Sequence, residues 1–200
     1  MKRILLIFST LAITVSTLQA QDYSLSKLFA KNVKYPTEAR MENVQGPVSV
    51  AIWIDENGYP SGSSKVLAGD EILAQEILST LQEIESNWTP DLLEGKEFGK
   101  EYILHFRFKI SGPTSSHSAY YPDQVSDGHD IDLDQINFWI NKNPYRPDFY
   151  EIRAKYYEQN GDGILAEIDR RAAEVLKEKQ LSDMLVVGYP PVYKKSLSAE

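Results

Sequence analysis

Residues 46–58 read GPVSVAIWIDENG. Val48, Val50, Ile52 and Ile54 fall on even positions, and because side chains alternate along an extended chain they line one continuous apolar face. The stretch is therefore a half-buried β-strand. Asp55, Glu56, Asn57 and Gly58 follow it with turn chemistry, since Asn and Gly tolerate the positive φ that tight hairpin connections need. The chain doubles back there, and residues 35–110 supply what completes the hairpin: a short helix before it, a longer helix after it, and a final strand.

The short helix starts at Tyr35-Pro36-Thr37-Glu38, where proline loses no useful N–H at the first helical position and Glu38 adds a favourable first-turn charge. It ends before Gln45-Gly46. The return strand, 59–67, is weakened by Ser61-Gly62-Ser63-Ser64, so a bulge or irregularity is expected there. Residues 70–86 form the clearest helix: Ile72, Leu73, Ile77, Leu81 and Ile84 recur at helical spacing as one stripe that covers the sheet. Trp88-Thr89-Pro90 stops it, because proline holds the preceding residue in extended geometry. A polar loop carrying Gly95 and Gly99 leads to the last strand, 101–110. There Tyr102, Leu104, Phe106 and Phe108 share one face, and Ile103, His105, Arg107 and Lys109 share the other.

In order, Tyr35, Pro36, Ala39 and Arg40, then Gly46, Val48 and Val50, then Asp55 and Gly58, then Trp88 and Pro90, Gly95, and finally Tyr102, Leu104, Phe106 and Phe108 make a set that resembles the C-terminal domain of the TonB family. The resemblance covers about 75 residues and departs from the family pattern at Ser61 to Ser64, where branched residues are usual. It implies an α+β fold, a small antiparallel three-stranded sheet with two helices on one side, followed here by a short α-helical segment. It also implies a periplasmic, non-enzymatic protein-binding module that pairs its sheet edge with a peptide segment of an envelope or outer-membrane transport protein, such as a TonB-dependent receptor. In the family's strand order the last strand lies at the side of the sheet. The expected partner-binding residues are accordingly Tyr102, Ile103, Leu104, His105, Phe106, Arg107, Phe108 and Lys109, with His105 on the exposed, partner-facing side.

The chain of 200 residues carries 21 basic and 29 acidic side chains, a formal charge of −8, which argues against nucleic acid and anionic lipid as partners. Protein is the expected partner, and homo-oligomerisation stays open. With no cysteine, disulfides, thiolate catalysis and cysteine metal sites are excluded. Lys2 and Arg3 precede an apolar run from Ile4 to Leu18, with Ala20 placed for cleavage before Gln21, the layout of a secretory signal peptide too short to span a bilayer. Once residues 1–20 are removed, no integral span is expected and the protein is not a conventional membrane-anchored energy transducer.

The expected organisation is a signal peptide at 1–20, an entry segment at 21–34, the TonB-like domain at 35–110, a Ser/Gly/Pro/Asp-rich linker at 111–129, a helical segment at 130–180 and an extended tail at 181–200. Helices are expected near 134–142, 148–159 and 163–179. Tyr150, Ala154 and Tyr157 on one helix, and Ala166 and Ala173 on the next, have spacings that resemble one tetratricopeptide repeat. Arg170 and Trp139 depart from that pattern, and an ordinary α-hairpin packed on the first domain is an equal alternative. The alternative function goes with this half: a scaffold in which the C-terminal helices bind the partner and the sheet domain is structural.

Other chemical signals are weak. Ser24 and Lys27 match a two-position Ser-x-x-Lys pattern without its companion motifs. Asp130, Asp132 and Asp134 alternate as calcium-loop carboxylates do, but Gln135 stands in place of the required glycine and Asn141 in place of the bidentate Glu, so a helix cap at Asp132 or Asp134 is the better reading. His105, His117 and His129 lie twelve apart with no helical ligand pair. No cofactor, metal site or catalytic residue is expected, although a hydrolase built from residues distant in sequence remains a third possibility.

Overall fold

The computed structural model describes residues 24–111 and 132–190. The expected signal peptide, the linker apart from Ser111, His117, His129, Asp130 and the end of the tail lie outside the described residues.

Strand β1 (Gly46–Ile54) pairs antiparallel with β2 (Pro60–Ala68) and, along its other side, with β3 (Lys100–Ile110). The turn between β1 and β2 is built by Asp55, whose carboxylate accepts the backbone N–H groups of Asn57 and Tyr59, both at 2.9 Å. Gly58 sits there at φ 86°, and a Cβ on it would lie 2.8 Å from the Pro90 side chain. The register between β1 and β2 shifts between Ser61 and Lys65 and again between Val66 and Ala68. Low β-propensity in the serine-rich stretch thus appears as irregular pairing.

On one face of the sheet lie α1 (Leu25–Asn32), α2 (Thr37–Met41) and α3 (Glu71–Ile84). Asp70 caps α3 by accepting the Ile72 N–H at 2.9 Å, and Leu73, Ile77 and Ile84 are buried against the even-numbered residues of β1 and β3. Within the expected entry segment, Leu25–Asn32 form α1. Ser24 caps this helix, Leu25, Leu28 and Phe29 enter the core, and the Phe29 ring meets Phe106 edge-on at 5.3 Å. The helix after Pro36 is shorter than expected and ends at Met41.

The second half begins with α4 (Leu133–Lys142), capped by Asp132, so the alternating aspartates do start a helix. α5 (Pro147–Gln159) and α6 (Gly163–Lys179) follow. Ala154, Ala166 and Ala173 are buried between α5 and α6, where small residues allow close approach. Trp139 stacks on Phe149, and Arg153 forks onto Asp169 at 2.8 Å while reaching Asn137 at 2.8 Å, tying all three helices together.

One expectation, the number of strands, fails here. The sheet has four strands, in the order β2-β1-β3-β4, because Gln180–Gly188, all but its first residue within the expected extended tail, forms β4 parallel to β3 over eight register pairs. β3 is therefore an interior strand. The physical reason is that Leu181, Met184 and Val186 complete the apolar core beside β3, which three strands would leave open on that flank. α4–α6 close over the face opposite to α1–α3.

Candidate functional site

The flank of β3 joins all parts of the molecule. Of the residues expected to bind a partner, Tyr102, Leu104, Phe106 and Phe108 point into the core with α1 and α3. Ile103 and His105 are buried on the other face, and Arg107 meets Asp183 of β4 at 3.4 Å. Lys109 is half-buried beside its register partner Val187. His105 is fully buried instead of exposed. From Ile103 to Phe108 the strand is paired on both sides, by β1 and by β4, while Tyr102 pairs with β1 and Lys109 with β4.

His105 is held in a buried polar cluster that crosses between the two halves. Its Nδ1 lies 2.8 Å from Ser49 Oγ of β1, and Asn143 Nδ2, just after α4, donates to the same Oγ at 2.9 Å. With the Ser49 hydroxyl donating to Nδ1 and accepting from Asn143, the imidazole is neutral and carries its proton on Nε2. Burial pushes the His105 pKa down to about 4, helped by the Arg146 guanidinium and opposed by Asp183 and Asp148. Nε2 has no hydrogen-bond partner among the described residues.

Arg146, only 1% exposed, is the second tie. Its guanidinium forks onto Asp148 at 3.0 and 2.8 Å and onto Asp183 at 3.0 Å through both terminal nitrogens. The bidentate geometry matches the planar donor fork to both carboxylates. One buried arginine thus joins the start of α5 to the middle of β4.

A Ser–His pair at hydrogen-bond distance is the geometry of a nucleophile and its base. Here both residues are sealed under Asn143 with no exposed surface, and the pair fastens the helices to the sheet. Among the described residues no group of acidic or histidine side chains could hold a metal ion. An open cavity of about 720 Å³ lies at the far end of the sheet, lined by Trp53, Lys96, Lys100, Tyr102, Glu178 and Lys179 among others. Lys100 pairs there with Glu97, and Lys96 lies over the Tyr102 ring.

Residues 31–110 match the family model described as the Gram-negative bacterial TonB protein C-terminal. This segment is a TonB C-terminal domain. Such domains are non-enzymatic protein-interaction modules associated with the Gram-negative envelope. The TonB C-terminal domain of this chain ends at the last residue of β3, so β4 and α4–α6 lie outside the matched segment. Comparison with curated proteins and with solved structures gives no match. No helix among the described residues is long and apolar enough to cross a membrane.

The sequence signals that β4 existed were present but local: Met184 to Val187 is a short apolar run that could pair with any strand. Nothing in it named β3 as its neighbour. His105, Ser49 and Asn143 are separated by tens of residues, and only the closure of α4–α6 on the sheet brings them together.

Proposed function

We propose that the chain is a periplasmic protein-binding module, exported behind a cleaved signal peptide at 1–20, whose partner is a peptide segment of an outer-membrane transport protein. The partner strand pairs with the β3 backbone across residues 102–109, on the flank that β4 takes in the free chain. The observation that carries this reading is that β3 accepts a parallel strand over eight register pairs from outside the TonB C-terminal domain. That flank is thus competent for strand addition, in which backbone hydrogen bonds give affinity and side-chain pockets give selectivity. An incoming strand with apolar residues at alternate positions refills the places of Met184 and Val186.

The chain has no cysteine, so Lys109→Cys with Val187→Cys introduces a single pair. These residues are register partners, and neighbouring strands lie about 4.8 Å apart, within the Cα span of a disulfide. Oxidised protein, with β4 fastened, is expected to lose retention of TonB-dependent receptors from solubilised outer membranes, and reduction is expected to restore it. Equal retention in both states removes β3 as the site.

The scaffold reading then leads, and α6 favours it. Ile164, Leu165, Ile168 and Val175 are exposed on that helix, with Ile164 81% accessible. Under this reading Ile168→Lys abolishes retention while the disulfide has no effect.

A further inference from the structure

We propose that the outer face of α6 and the cavity at its C-terminal end form one docking surface for an amphipathic helix of a partner protein, a helix with an apolar stripe and lysine or arginine along its flank. The inference rests on the scaffold reading in using the helical half, supplies the partner chemistry for it, and does not depend on strand addition at β3.

α6 turns two faces to different surroundings. Ala166, Asp169 and Ala173 are buried, with Asp169 held by Arg153 of α5. Leu165, Ile168, Ala172 and Val175, at spacings of three, four and three, form a stripe on another face, and Ile164 widens it at the first turn. Ile168 and Val175 are 56% and 55% exposed. A helix offers no open backbone to an added strand, so only side chains can meet the partner, and a second helix laid along the stripe covers it best. From Leu165 to Val175 the stripe runs about 15 Å, the reach of about three turns of an incoming helix.

Lys179, four residues beyond Val175 on the same face, lines the open cavity of about 720 Å³ together with Glu178, Trp53 and Tyr102. The stripe therefore runs into a cavity that holds the half-exposed Trp53, an aromatic surface for an apolar side chain at the end of the incoming helix. Trp53 comes from β1 and Lys179 from α6, so the complete surface needs both halves of the molecule.

Glu167, Arg171, Glu174 and Glu178 follow one flank of the stripe. Arg171 donates to Glu167 at 3.0 Å, and Lys177, on the far side of the helix, is taken by Glu151. The flank thus carries three carboxylates and one guanidinium, a negative rim that selects lysine or arginine on the partner. A second copy would bring the same rim and a formal charge of −8, and anionic lipid would be repelled in the same way, so the charge disfavours both as occupants.

Calorimetric titration of residues 21–200 with a synthetic leucine–lysine peptide of about fourteen residues, its leucines at helical spacing, tests this. The peptide is expected to bind and to gain helical circular dichroism. A peptide of the same composition in strict alternation, which is a strand pattern, should not bind, nor should a leucine–glutamate peptide of helical spacing. Ile168→Lys is expected to weaken association about tenfold or more, as loss of a central contact does, and Glu174→Lys about threefold. Both residues are exposed, and Glu174→Lys decides the matter if Ile168→Lys fails to fold. Glu42→Lys/Glu83→Lys changes the formal charge by more, across the sheet from α6, and should leave binding unchanged, which separates the site from general attraction to an acidic protein. No binding by the unmodified chain, or undiminished binding by a folded variant of Ile168 or Glu174, overturns the proposal. So does a dimer, or retention on phosphatidylglycerol vesicles, that Ile168→Lys abolishes, since the face then belongs to a second copy or to lipid. Receptor retention that requires Ile168 without any peptide binding would keep the scaffold reading and reject the helical partner.

Discussion

His105 gains its low pKa from being enclosed by Ser49, Asn143 and Arg146, and the consequence is a dependence of stability on pH. The folded-state pKa of about 4 lies below the value of 6.5 for a free imidazole, so the fold favours the neutral ring. Its contribution is complete above pH 6.5 and is lost as pH falls toward 4, amounting to about 3 kcal/mol. Urea unfolding at stepped pH should show this loss in the unmodified chain and a flatter profile in His105→Asn, which cannot titrate. His105→Ala should cost about 2–4 kcal/mol at pH 7, through the cavity and the weakened Ser49 hydrogen bond. The alternation of β3 was legible in the sequence and correctly divided its residues between two faces. It could not tell which face met water, because the cover over His105 comes from Asn143, which the hydrophobic pattern does not connect to it.

Arg146 decides how firmly β4 stays in place. Removing one partner of a buried ion pair leaves the other charges uncompensated, so Arg146→Ala should cost about 3–5 kcal/mol. Arg146→Lys should recover only part of this, since an ammonium cannot fork onto Asp148 and Asp183 together. In both variants the amide of Val186 should exchange with solvent faster relative to that of Val50, because the loss falls on β4 before β1. Equal acceleration at both amides would mean that Arg146 supports the whole fold and has no special hold on β4. The far end of the strand offers an independent check. A Cβ at Gly188 would lie 2.5 Å from the Tyr35 ring, whose hydroxyl donates to Val44 O at 2.6 Å. Gly188→Ala should therefore cost about 1–3 kcal/mol and displace that ring. Elements with their own periodicity, α3 and α6 above all, could be placed from the sequence. β4 could not, because no proline or glycine separates Lys179 from Gln180 and because parallel pairing with β3 is a contact between distant parts of the chain.

At the scale of the molecule, the sequence divides at a polar segment near residue 111, and that division suggests two independent units. The contacts argue otherwise. Ser49 meets Asn143, Arg107 meets Asp183, and Leu181, Met184 and Val186 belong to the same core as Val50 and Phe106. Neither half can open without uncovering buried polar groups of the other, so the two should unfold together. Tryptophan provides the test, since Trp88 reports on the sheet half and Trp139 on the helical half. Trp53 is half-exposed and can be replaced by Phe at little cost. In Trp53→Phe/Trp139→Phe the fluorescence of Trp88, and in Trp53→Phe/Trp88→Phe that of Trp139, should change at the same urea concentration as the far-UV circular dichroism of the same variant. A Trp139 transition that precedes loss of the remaining secondary structure would show that the helices leave a sheet able to stand alone. In the coupled molecule β4 occupies the flank of β3, so the proposed function requires a partner strand to take the place of β4 there.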